Sequence, residues 1–162
     1  MEREFLRKKL KKGFALYQQN GPGGVAGMSM DGVSLEEAHQ IIDIPEEWKE
    51  KMFQETKRHY IQENGVSNGD TTKRSGIFEG YQRCTSIDKR LKGTWTLGQY
   101  EQAYKMSFYN AVNKENQNWQ IGQSFDSSII NKLSRKDIES SLEKVQGEYG
   151  TNLVSKGFDI SL

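Results

Sequence analysis

Apolar residues recur at three- and four-residue steps along much of the chain, the period that stacks them on one face of an α-helix. The clearest run covers 95–112, where Leu97, Tyr100, Tyr104, Phe108 and Ala111 form a stripe flanked by Ala103, Ser107 and Val112. Thr96 and Gln99 have the spacing of a capping box at its start, and Trp95 and Tyr100 that of a hydrophobic staple. A stripe of large aromatic residues reads first as core. A surface platform for stacking bases is the rarer arrangement. The rest of the chain is expected to pack around this helix.

Residues 2–18 repeat the pattern with Leu6, Leu10, Phe14 and Tyr17, and basic side chains crowd the other faces. Ser34 and Glu37 mark the start of a short helix carrying Leu35, Ala38, Ile41 and Ile42. Pro45, Glu46 and Glu47 then open a longer one, with Trp48, Met52, Phe53, Thr56 and Tyr60 as its stripe and Asn64-Gly65 as its stop. Ser75 is placed to cap a helix in which Ile77, Phe78, Tyr81, Cys84 and Leu91 align, ended by Gly93. Trp119 and Ile121 are expected to re-enter the core, and Asp126 to cap a turn through Ile129 and Ile130. Ser134 begins a last helix carrying Ile138, Leu142, Val145 and Tyr149, ended by Gly147 or Gly150.

Two segments break the helical period. Residues 20–33 are rich in glycine, with Asn20-Gly21-Pro22-Gly23-Gly24 at their start. A glycine loop cradles phosphate when it runs from a strand into a helix. This one follows an expected helix and lacks a Gly-Lys-Ser/Thr ending, so it reads as a connection or lid. Residues 150–162 form an extended tail in which Phe158, Ile160 and Leu162 alternate with polar residues. Such a tail either pairs with a strand, for which 25–30 or 119–123 are the available mates, or docks into an apolar groove.

Composition narrows the classes. The chain has 162 residues, enough for one domain with a real core, and 34% hydrophobic residues, too many for a disordered chain. Net charge is +1, so overall charge selects no partner. Cys84 is the single cysteine, which excludes an intrachain disulfide. No apolar run approaches the length of a membrane span, and the basic N-terminus leads into no uninterrupted apolar segment. The expected location is the cytoplasm, or a route through a specialised secretion system without a cleaved signal.

Charge is nevertheless unevenly spread. Residues 1–12 hold six basic groups, 31–63 hold nine acids, and 73–92 hold Lys73, Arg74, Arg83, Lys89, Arg90 and Lys92 against Glu79 and Asp88. If the two basic segments converge, Arg3, Arg7, Lys8, Lys12, Arg83, Lys89 and Arg90 would contact phosphates. If the acidic segment lies beside them, the charges neutralise one another internally. His39 and His59 are the only histidines. As a general base His59 would suit RNA cleavage, with Glu79 or Asp88 as second acid/base and Arg83 or Arg90 stabilising anionic charge. The commoner place for such a histidine is the partly exposed edge of a helix stripe. Cys84 falls on an apolar face, where a thiol behaves as a small hydrophobe. No metal-ligand spacing and no cofactor motif occurs.

The sequence therefore predicts a single, mainly α domain spanning 1–162, with five to seven helices and room for a two-stranded element near the C-terminus. The expected function is non-catalytic binding through a protein interface or to an anionic partner such as nucleic acid. The alternative is a small effector enzyme, a hydrolase or transferase acting on nucleic acid or a nucleotide through His59.

Overall fold

The computed structural model describes residues 34–66 and 73–156. The expected basic helix at 2–18, with Arg3, Arg7, Lys8 and Lys12, lies outside these residues, as do the glycine-rich loop at 20–33 and Phe158, Ile160 and Leu162 of the tail. The described residues are mainly α, with six helices followed by a two-stranded antiparallel sheet. The helices are α1 (Leu35–Ala38), α2 (Glu46–Glu63), α3 (Arg74–Arg83), α4 (Ile87–Glu115), α5 (Ser128–Asn131) and α6 (Arg135–Ser140). The strands are β1 (Leu142–Gly147) and β2 (Gly150–Ser155).

Local signals set several boundaries. The Ser34 hydroxyl accepts from the Glu37 amide at 3.1 Å, which starts α1. Pro45 precedes α2, and Glu46 and Glu47 occupy its first turn, at the positive end of the helix dipole. Asn64 and Gly65 adopt positive φ (53° and 80°) and end it. Ser134 accepts from the Asp137 amide at 3.4 Å and begins α6. Asp126 accepts from the Ser128 amide at 3.0 Å at the start of α5.

α4 organises the core. At 29 residues it is about 43 Å long. It presents Leu97, Tyr104, Phe108 and Val112 to Trp48, Met52, Phe53 and Tyr60 of α2 and to Phe78 and Tyr81 of α3. Trp119, Ile130 and Ile138 close the far end. The rings meet edge-on or tilted, as Phe53 does with Tyr104 (5.4 Å) and Phe108 (5.6 Å).

Several expectations fail, and those at Gly93, Trp95, Thr96 and Gln99 fail through tertiary contacts. Gly93 does not stop a helix; it lies buried inside α4. A Cβ there would sit 2.5 Å from Tyr81 Cζ and closer still to the hydroxyl, so glycine lets the Tyr81 ring lie against the α4 backbone. The expected helix from Ser75 to Leu91 breaks at Cys84–Ser86, and Ser75 lies inside α3, not at its cap. Thr96 is likewise no cap. It is fully buried in mid-helix, where its hydroxyl accepts from the Ile42 amide at 3.0 Å and shares its proton between the carbonyls of Lys92 (2.9 Å) and Gln40 (3.0 Å). Gln99 accepts from the Leu153 amide at 3.2 Å, and Trp95 stacks on His39, not Tyr100. Ile121 is exposed while Trp119 is buried. Cys84 is exposed at the end of α3.

The largest departure is at 141–149. The expected last helix ends at Ser140, and Leu142, Val145 and Tyr149 belong to a hairpin in which Leu142 pairs with Ser155, Val145 with Asn152 and Gly147 with Gly150. The 119–123 segment supplies no strand. His39 pins the hairpin. Its carbonyl accepts from the Thr151 amide at 2.8 Å, and its Nδ1–H donates to the Tyr149 carbonyl at 3.0 Å. Trp95 stacks on its ring at 3.8 Å and donates through Nε1 to the Thr151 carbonyl at 2.9 Å. Gly150 has φ +136°, and a Cβ there would overlap the His39 carbonyl and Cβ. Only glycine fits that turn.

Candidate functional site

Docking β2 against one side of α4 leaves a groove on the helix face turned away from α2 and α3. Ala103, Met106, Ser107 and Asn110 succeed one another at three- and four-residue steps and form its floor. Leu142, Leu153 and Val154 wall the upper part, which encloses about 380 Å³. Past Ser107, Asn110 and Ser141 it continues into a second, more open part of about 510 Å³ between α4 and Ile129, Leu133 and Ile138. The lining is mostly apolar and punctuated by uncharged donors and acceptors, with Lys114, Glu115, Lys132 and Asp137 along the second part and Lys156 in the first. Met106 is 46% exposed on this floor, a soft, adaptable thioether of the kind that conforms to varied apolar partners.

A charged clasp holds the groove's lower wall in place. Arg135, only 10% exposed, donates to Glu46, to Glu50 at 2.7 Å and to Glu139 at 2.6 Å. Tyr104, fully buried on α4, donates its hydroxyl to the same Glu139 at 3.1 Å. Burial, followed by the Glu139 charge, pushes the Tyr104 hydroxyl far up, so it remains a donor. Lys49, Arg135 and Lys136 hold the exposed Glu46 carboxyl well below the usual carboxylate range. The acids at the start of α2 are thus matched by α6. Midway along α2, Glu55 accepts from the Lys73 amide at 2.9 Å and pairs with Arg58.

The residues expected to carry chemistry are differently placed. His59 is 1% exposed, not at a partly exposed edge. Its Nε2–H is directed at the Val66 carbonyl, across the turn that ends α2, and its Nδ1 lies buried without a hydrogen-bond partner. The carboxylate beside it is Glu63, at 3.7 Å in the same helix. Glu79 pairs with Arg83 on α3. Arg90 donates to the Thr85 carbonyl at 2.7 Å and fastens the α3–α4 corner. Asp88 and Lys89 are exposed in the first turn of α4. Among the described residues, no three of His, Cys, Asp and Glu gather in a way that could hold a metal ion. No helix there is long and apolar enough to cross a membrane.

A family model described as a domain of unknown function, DUF3879, matches residues 2–162. The chain belongs to this family. Comparison with curated proteins and with solved structures gives no match. In this DUF3879 chain the groove residues had a signal in the sequence. Ala103, Met106, Ser107 and Asn110 form a second stripe, small and soft, beside the aromatic one, yet nothing local tells such a stripe from ordinary solvated surface.

Proposed function

We propose that this protein is a non-catalytic binding module that takes an apolar segment of a protein partner along the outer face of α4. The observation that carries the reading is the groove itself: an elongated, mostly apolar concavity with exposed Met106 on its floor and uncharged polar groups spaced along it. Its walls are a hairpin pinned by His39 and Trp95 and a helix clasped by Arg135, so the surface is preorganised for a partner. The buried position of His59 also supports a binding role. Catalysis from its ring would require opening the turn at Val66.

The test is a peptide-display selection against the full chain, followed by affinity measurement on wild type and on Met106→Glu, a substitution at an exposed position. Peptides anchored by apolar side chains are expected, and the new charge should weaken them at least about tenfold. Binders indifferent to Met106→Glu would place recognition elsewhere. A parallel arm mixes the protein with labelled single-stranded RNA, single-stranded DNA and duplex DNA at two salt concentrations and runs the products on a gel. Salt-sensitive binding to intact strands would make the anionic partner the answer. Cleaved strands would replace the binding reading with the enzymatic one.

A further inference from the structure

A second cluster lies on the flank of α4 that faces α3. Glu101, Lys105 and Tyr109 follow at four-residue steps on α4, and Arg74, the first residue of α3, reaches across to Glu101. Arg74 Nε meets Glu101 Oε2 at 3.3 Å, and both side chains are 12% exposed. Arg74 Nη1 is buried and has no hydrogen-bond partner. The Tyr60 hydroxyl lies within electrostatic reach of Arg74 and Tyr109. The cluster therefore holds two cations against one carboxylate, with a guanidinium nitrogen left over. A buried donor left unpaired carries a cost that a matching acceptor removes.

We propose that Arg74 and Lys105 form a binding site for a phosphate group, and that Glu101 holds Arg74 in place until the phosphate arrives. The guanidinium offers a planar fork of donors that suits two phosphate oxygens, and the ammonium adds a point charge beside it. The electrostatics agree with the geometry. Burial, then the repulsion of Arg74, lowers the Lys105 ammonium below its ordinary value, and Glu101 only partly compensates. Burial likewise raises the Glu101 carboxyl despite both cations. A dianion would relieve the repulsion between the two cations. The site is distinct from the groove, and its failure would leave the peptide-binding reading untouched.

Isothermal titration calorimetry of the full chain tests this, with inorganic phosphate and methyl phosphate as probes and sodium chloride of equal ionic strength as control. Saturable binding of one phosphate per chain is expected. Lys105→Met should weaken it at least about thirtyfold, the usual consequence of removing a partner from a desolvated charged contact. Glu101→Gln, which removes the competing carboxylate, should tighten it by about tenfold. Arg74→Gln should abolish binding; if that variant does not fold, Lys105→Met reads the same contact on a side chain with less structural duty. Binding of both probes means the group is presented on a larger molecule, and binding of inorganic phosphate alone means the free ion is the ligand. Heats no larger than those of chloride, or equal binding by Lys105→Met and wild type, would overturn the proposal.

Discussion

Gly93→Ala is the most revealing single change in this chain, because two rules oppose each other there. By helix propensity alone alanine should stabilise a mid-helix position by about 1 kcal/mol. The tertiary structure forbids it. The added methyl would fall 2.5 Å from Tyr81 Cζ and 2.6 Å from Cε1. Apolar contact needs about 3.5 Å or more, so the ring carbons would have to retreat by roughly 1 Å and the hydroxyl, which lies nearer, by more. Tyr81 is 2% exposed and already meets Trp48 edge-on at 6.1 Å, which leaves no space behind it. Overpacking of this kind costs about 1–3 kcal/mol, and expelling the ring altogether costs about 3–5 kcal/mol. After the propensity gain is subtracted, a net loss of about 2 kcal/mol remains, a large share of a typical domain's 5–15 kcal/mol. Urea denaturation should show a midpoint lower by about 1 M with an unchanged slope. In a Tyr81→Ala background the ring is gone and the sign should reverse, alanine then stabilising by about 1 kcal/mol. A neutral or stabilising Gly93→Ala in the otherwise native chain would refute the claim that close approach of α3 and α4 selects this glycine.

Three further outcomes are expected. Thr96→Val removes, from a fully buried position, the partner of the Ile42 amide and of the Gln40 carbonyl and should cost about 2 kcal/mol by denaturation. Burial lowers the His39 pKa below its ordinary 6.5, only partly offset by the Tyr149 carbonyl and Glu36, so the unfolded chain takes up that proton first as pH falls. Its contribution to stability should be full above about pH 6.5 and decline below it, and His39→Gln should flatten the difference between midpoints at about pH 7.5 and about pH 5. Cys84, exposed at the end of α3, should react with one equivalent of a thiol reagent in the native protein, and protection until unfolding would contradict its placement.

What could be read in the sequence was what a single turn decides. The Ser34–Glu37 and Ser134–Asp137 caps, the acids after Pro45 and the Asn64-Gly65 stop each act between residues at most a few positions apart, so the string of letters contains both partners. The aromatic stripe of α4 survived for the same reason. Gly93 was misread because its partner is Tyr81, on another helix. Leu142, Val145 and Tyr149 suit helical spacing, but the hairpin is selected by Gly150 fitting against His39 more than a hundred positions away. The groove was invisible in the same way: its floor and walls come from α4, the hairpin and α5–α6, and no one segment holds its shape. Arg74 was legible only as one of several basic residues, because its partner Glu101 lies on a different helix.

Among the described residues, the backbone hydrogen bonds that fasten the hairpin to the helices come from β2 and the turn before it. The amides of Thr151 and Leu153 and the carbonyl of Thr151 are engaged by His39, Gln99 and Trp95, whereas Lys144 and Gln146 on β1 are exposed. Amide hydrogen exchange should therefore divide this region into zones. The core of α4 should exchange only through global unfolding, β2 through a smaller opening that releases the hairpin as a unit, and the outer amides of β1 with little protection. Since the hairpin is also a wall of the groove, that smaller opening would set how quickly an occupant could enter or leave without the helical core having to move.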